Sequence, residues 1–135
     1  MIITSNEIVV DSNKKELQSF LIDCTNYEQL LPQDKISDFK ATMAECSFKV
    51  QGGITIKLIQ FGFDETGAVL LKSGEESPFP FMLKVNLEEE ASATRGNIKF
   101  DGELSPFIAM VASKPLENLF NFMAEKIVDR FKIKN

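Results

Sequence analysis

Residues 114–131 read KPLENLFNFMAEKIVDRF, and the spacing within them decides the fold. Leu116, Leu119, Phe120, Met123, Ile127 and Phe131 recur at the three- and four-residue intervals of one helix face. Glu117, Glu125, Lys126, Asp129 and Arg130 fall largely off that stripe and belong to solvent. Lys114-Pro115 puts proline in the first turn, where its missing N–H leaves nothing unpaired. So long an apolar stripe needs a broad apolar surface to lie on.

The residues before it supply that surface. In FPFMLKVNL, 79–87, Phe79, Phe81, Leu83, Val85 and Leu87 alternate with Pro80, Met82, Lys84 and Asn86, the period of a half-buried strand. Ala93 to Leu104 repeats the pattern, with Ile98, Phe100 and Leu104 inward and Lys99, Asp101 and Glu103 outward. Further upstream come AVLLKSG (68–74), ITIKLIQFGF (54–63), CSFKV (46–50) and ISDFKATM (36–43). In the last of these Phe39, Ala41 and Met43 share a face. Gly52-Gly53 and Thr66-Gly67 supply the turns of antiparallel hairpins.

The N-terminal third holds a first strand at residues 2–10 and then two short helices. Asp11-Ser12 caps the first, whose stripe is Leu17, Phe20, Leu21 and Cys24. Thr25-Asn26 caps the second, which buries Tyr27, Leu30 and Leu31 and stops before Pro32. The order is β-α-α-β6-α, an α+β chain with a seven-stranded antiparallel sheet and a C-terminal helix. Between the last strand and that helix lies an apolar connector, Ser105 to Met110. It packs as an extra helical turn over the core, or else Phe107 and Met110 form a lid or a subunit contact.

A chain of 135 residues, 44% hydrophobic and 26% charged, has the length and composition of one domain, 1–135. Its net charge of −5 argues against nucleic acid and anionic lipid, which need a concentrated basic face. No apolar run approaches the roughly 20 residues of a membrane-spanning helix, and no secretory leader opens the sequence. Cys24 and Cys46 are too few for a disulfide framework, so they are expected as buried reduced thiols in a cytoplasmic protein.

Catalytic patterns are absent. The sequence has no histidine, which removes Ser-His-Asp and Cys-His mechanisms, and the two cysteines lack metal-ligand spacing. Glu75-Glu76 and Glu88-Glu89-Glu90 read as solvated loop and strand ends, since neighbouring strand residues face opposite sides. Neither a metal nor a cofactor is expected.

The element order resembles the helix-grip fold of the START-like or SRPBCC superfamily, which includes polyketide cyclase/dehydrase-like and pollen-allergen-like proteins. The likeness is carried by FLIDCTNYEQLLP at 20–32, CSFKVQGG and ITIKLIQ at 46–60, and KPLENLFNFMAEKI at 114–127. It implies a curved sheet wrapped around the terminal helix, with an apolar cavity between them for a lipid, sterol or polyketide-like molecule. On that reading the ligand is lined by Phe48, Ile56, Phe81, Leu83, Phe100, Phe120, Met123 and Ile127, with Phe107 and Met110 at the mouth.

Twelve phenylalanines can equally fill that space, which leaves a plain core as the competing account. Arg95, Gln60 and Tyr27 are candidates to hold a ligand's polar end, each set against an ordinary surface, rim or packing role. A filled core shifts the expectation to a protein-interaction or homodimerising module. A cyclase-like enzyme ranks third.

Overall fold

The computed structural model describes residues 1–50, 53–75 and 77–132. Two N-terminal strands, β1 (Ile2–Thr4) and β2 (Ile8–Val10), precede a helix, α1 (Lys14–Leu21), and a 3-10 helix, Cys24–Leu30. Six strands follow: β3 (Ile36–Ala41), β4 (Glu45–Val50), β5 (Ile54–Phe63), β6 (Val69–Ser73), β7 (Phe81–Glu90) and β8 (Ala93–Gly102). The chain ends on α2, Pro106–Arg130. Strand order is β1-β8-β7-β6-β5-β4-β3, antiparallel throughout, with β2 also on β8.

The first strand expected over residues 2–10 is therefore interrupted. Ser5 bridges the break: its N–H donates to the Ile98 carbonyl and its Oγ accepts from the Ile98 N–H, each at 2.8 Å. β1 and β2 together occupy one edge position, so the sheet has the seven positions that the sequence implies.

Local chemistry moved several boundaries. Asn13, not Asp11-Ser12, caps α1, accepting the Glu16 N–H at 2.8 Å. Asp23 rather than Thr25 caps the next helix, which is 3-10 in form and begins at Cys24. In β3, Asp38 sits at φ 55° and the register shifts between Ser37 and Lys40. The strand ends at Ala41, and Met43 lies in an exposed turn instead of sharing a face with Phe39. A second bulge separates Gln60 from Phe63, where Gly62 adopts φ 92°, backbone that side chains strain to reach. Of the expected Gly52-Gly53 turn, Gly53 has φ 94° and donates to the Val50 carbonyl, while Gly52 lies outside the described residues, as does Glu76.

The largest revision concerns α2. The apolar connector is its first turns, and Pro115 stands inside the helix rather than at its start. Ser105-Pro106 is the true beginning: Ser105 Oγ accepts the Ile108 N–H and Pro106 takes the first helical position. Interior Pro115 leaves the Val111 carbonyl without a helical donor. That is tolerable because Val111 is itself exposed.

The inner face of the sheet packs on α2 as the two periodicities require. Leu116, Leu119, Phe120, Met123 and Ile127 are buried from the helix side; Phe48, Ile56, Leu58, Leu83, Val85, Ile98 and Phe100 are buried from the sheet side. Phe100 stacks on Phe120 with ring centroids 5.4 Å apart, meets Phe81 at a tilt at 5.2 Å, and Phe79 closes the cluster edge-on at 6.3 Å.

Candidate functional site: an outer groove and a filled interior

The space between sheet and helix is nearly solid. A void of about 10 Å3 remains, faced by Phe48, Ile56, Leu58, Phe81, Phe100, Leu116, Leu119, Phe120 and Met123. One water needs about 10–15 Å3, so this is no room for a guest. Of the residues expected to line a ligand, Phe48, Ile56, Phe81, Phe100, Phe120 and Met123 meet around the void. Leu83 and Ile127 are buried in the same core without facing it. Phe107 and Met110 stand apart, 69% and 77% exposed on the first turns of α2. They mark no mouth to the void, because the connector coils into helix and turns them to solvent.

The chain opens elsewhere. A groove of about 450 Å3 runs between α2 and the segment linking the 3-10 helix to β3. Pro32, Ile36, Val50, Pro115, Leu119 and Phe122 form its apolar walls, and Asp34, Lys35 and Asn118 its polar ones. Leu119 is the one described residue that also faces the inner void, so its side chain is the partition between outside and inside. Across Phe122 lies a shallower depression of about 430 Å3, lined by Thr25, Glu28, Gln29, Leu31, Gln33 and Lys126. Lys126 Nζ rests 5.4 Å from the centre of the Phe122 ring.

Sequence reasoning missed this groove because its two walls are far apart along the chain. One signal was present: Phe122 is a large apolar residue off the α2 stripe.

The polar candidates serve the scaffold. Arg95 points outward from β8, its guanidinium holding Glu7 at 2.7 Å and Glu90 at 3.0–3.1 Å. Those carboxylates, Glu90 foremost, raise its pKa and keep it charged. Gln60 Oε1 accepts the Gly62 N–H at 2.9 Å and so braces the β5 bulge. Tyr27 is buried and donates to the Leu21 carbonyl at 2.8 Å; burial first, then the nearby thiols, push its phenol well above the ordinary range. A cleft of about 370 Å3 beside Arg95 is lined mainly by polar groups, among them Lys14, Asn86 and Glu88. Lys14 is already engaged there, donating to the Thr66 carbonyl at 2.6 Å.

Comparison with known proteins places the fold. No family model matches the sequence, and no curated protein is similar enough in sequence to match. Solved structures are similar over nearly the whole chain. TTHA0849 from Thermus thermophilus superposes with a TM-score of 0.75 at 12% identity, covering 97% of each chain. A START superfamily protein from Mycobacterium smegmatis gives 0.66 at 11%, again with 97% of each chain covered. XoxI from Bacillus cereus gives 0.70 at 13%, covering 96% of this chain and 94% of that one. The fold is the START-like helix grip: a curved antiparallel sheet with a long C-terminal helix. Among the described residues, no helix is long and apolar enough to cross a membrane.

Proposed function

We propose that this chain binds a hydrophobic small molecule, lipid-, sterol- or polyketide-like, in the groove between α2 and the Pro32–Ile36 segment. The observation that carries the reading is the place of Leu119 between a 450 Å3 groove and the inner void. The groove has the size of a small-molecule site and its composition: apolar walls with a few polar groups to orient one end. A ligand's apolar body lies on Ile36, Val50, Leu119 and Phe122; its polar end meets Lys35 or Asn118. START-like neighbours support a hydrophobic ligand at the level of the fold. The working compartment in this reading is the cytoplasm, where the two thiols stay reduced.

The test is thermal shift against a panel of fatty acids, sterols and flat aromatics, on the wild type and Leu119→Trp. A ligand that binds only the folded state raises the melting temperature with its concentration. An indole at position 119 fills the groove and abolishes that rise. If no member shifts the wild type, the groove is not a ligand site.

A second reading has its own observation. Phe107, Met110 and Val111 are 69%, 77% and 54% exposed at i, i+3 and i+4 on α2, an apolar face that suits a second copy of the chain or another protein. Sedimentation of the wild type and Met110→Glu tests it: a dimer that the charge dissolves supports this role, and a monomer at all concentrations removes self-association.

A further inference from the structure

The outward side of α2 carries a pattern of its own. On a helix of 3.6 residues per turn, Phe107, Val111, Asn118, Phe122 and Glu125 fall within about 60° of one another, opposite the buried Leu116, Met123 and Ile127. Lys114 adjoins the same line, and the alternation of three- and four-residue steps from Phe107 to Glu125 is that of a helix-pairing seam. Phe107, Met110 and Val111 are exposed along it and Phe122 is half-buried.

We infer that this seam pairs with the same seam of a second copy of the chain, the two α2 helices lying antiparallel about a two-fold axis level with Leu116. The inference deepens the self-association reading above and rests on it.

What selects a second copy is self-complementarity, which a two-fold contact demands. The seam is apolar towards its ends, with Phe107, Met110 and Val111 before the middle and Phe122 after it. Its middle is polar, with Lys114, Glu117 and Asn118. Turned end for end, it matches itself. The Phe107–Val111 end of one copy lies on the partner's Phe122, where the Met110 thioether meets an aromatic ring, a favoured contact.

The charges follow the same symmetry. In the single chain Lys114 Nζ stands 3.7 Å from Glu117 Oε1, with the side chains 75% and 49% exposed, an ion pair of little worth. Between antiparallel helices Lys114 faces the partner's Glu117, and Glu117 the partner's Lys114, so each charge gains a second opposite neighbour. Glu125 comes beside the first turn of the partner's α2. That turn has no acidic residue of its own, and a carboxylate is favoured at the positive end of a helix. A parallel pair would set Lys114 against Lys114 and gain none of this.

From Phe107 to Phe122 the seam spans about 22 Å and is one helix wide, short of a standard stable interface. The dimer is accordingly weak, with dissociation in the micromolar range or above.

Sedimentation equilibrium of the full chain, from about 10 μM to about 1 mM, reads the pairing. The wild type should reach a dimer and nothing larger, because a two-fold contact closes on itself. Lys114→Glu and Glu117→Lys each set like charges opposite one another twice, and each should weaken dimerisation about tenfold or more. Mixed in equal amounts, the two variants should pair with each other at wild-type strength or better, since each presents the charge that the other lacks. The double variant should recover wild-type strength as well. Both positions are exposed, so the folded state should persist, which circular dichroism checks. A wild type that stays monomeric at about 1 mM overturns the inference together with the self-association reading. A dimer that Met110→Glu dissolves but both charge variants leave unchanged overturns the antiparallel pairing alone, and so does a mixture no stronger than its parts.

Discussion

The two sides of Leu119 differ in size by more than an order of magnitude: about 10 Å3 toward the sheet and about 450 Å3 toward the Pro32–Ile36 segment. The inner side is closed by rings. Phe48, Phe81, Phe100 and Phe120 are each 6% exposed or less, and Phe100 contacts three other rings at centroid distances of 5.2–6.3 Å. The outer side stays open between Pro32, Ile36 and Val50 on one wall and Pro115, Leu119 and Phe122 on the other. A curved sheet around one helix therefore does not by itself provide a cavity. Side-chain volume on the inner face decides whether the grip encloses a space or a core.

The largest test of this contrast is Phe100→Ala. Removing the central ring of the cluster should cost about 3–5 kcal/mol, measured by urea or thermal unfolding. The vacated apolar space should stay dry and accept a small hydrocarbon such as benzene, which then restores part of the lost stability. A loss under about 1 kcal/mol would mean that the interior is looser than the ring contacts indicate.

Leu119→Ala removes the partition. Its cost should lie at the low end of the Leu→Ala range, about 2 kcal/mol, because one side of the residue already faces the groove. The informative readout is ligand response: an apolar compound should stabilise this variant more than the wild type at equal concentration. An unchanged response would show that groove and void remain separate without the leucine.

Phe122→Ala acts on the outer side alone. The ring is half-buried and its loss should cost about 1 kcal/mol, within the common range for point substitutions. If the groove holds the ligand, affinity in a fluorescence or calorimetric titration should fall tenfold or more. Stability and affinity then move in the opposite proportion to Phe100→Ala, which separates the two sides experimentally.

How much of this was legible in the sequence follows from what each signal measures. Alternation at Phe79–Leu87 and the stripe at Leu116–Phe131 report which face of an element is buried, and the sheet, the terminal helix and the buried set followed from them. Periodicity carries no information on volume. Phe48, Phe81 and Phe100 look alike as ligand lining or as filling until their rings are placed. The start of α2 was misplaced because Lys114-Pro115 and Ser105-Pro106 both offer proline at a first turn, and only the second also has a capping hydroxyl. Met43 was misassigned because the Asp38 bulge leaves almost no trace in ISDF, aspartate being merely tolerant of positive φ. The outer groove joins residues distant in sequence, beyond any local pattern.

The smallest predicted effect lies on the face of the sheet turned away from both spaces. Asp64 bonds Lys84 Nζ at 2.7 Å and also accepts from the Thr66 hydroxyl at 2.6 Å and the Thr66 and Ala68 N–H groups. Lys84 first, then Thr66, hold its carboxyl well below the usual carboxylate range. A carboxyl whose folded pKa is depressed stabilises the native state above its unfolded pKa and loses that contribution as pH falls through the folded one. The stabilisation should accordingly be complete at pH 7 and fade from about pH 4 downward, the ordinary range for an unfolded aspartate. Solvent exposure and salt keep it small. Asp64→Asn keeps the shape and removes the charge, so its melting temperature should sit slightly below wild type at pH 7, and the gap should narrow steadily below about pH 4, closing only when pH falls beneath the depressed folded pKa. Its ligand response should equal that of wild type, because the residue touches neither the groove nor the void. A gap that widens toward acid pH would reverse the sign derived from the Lys84 contact, and a changed ligand response would break the division between the two faces of the sheet.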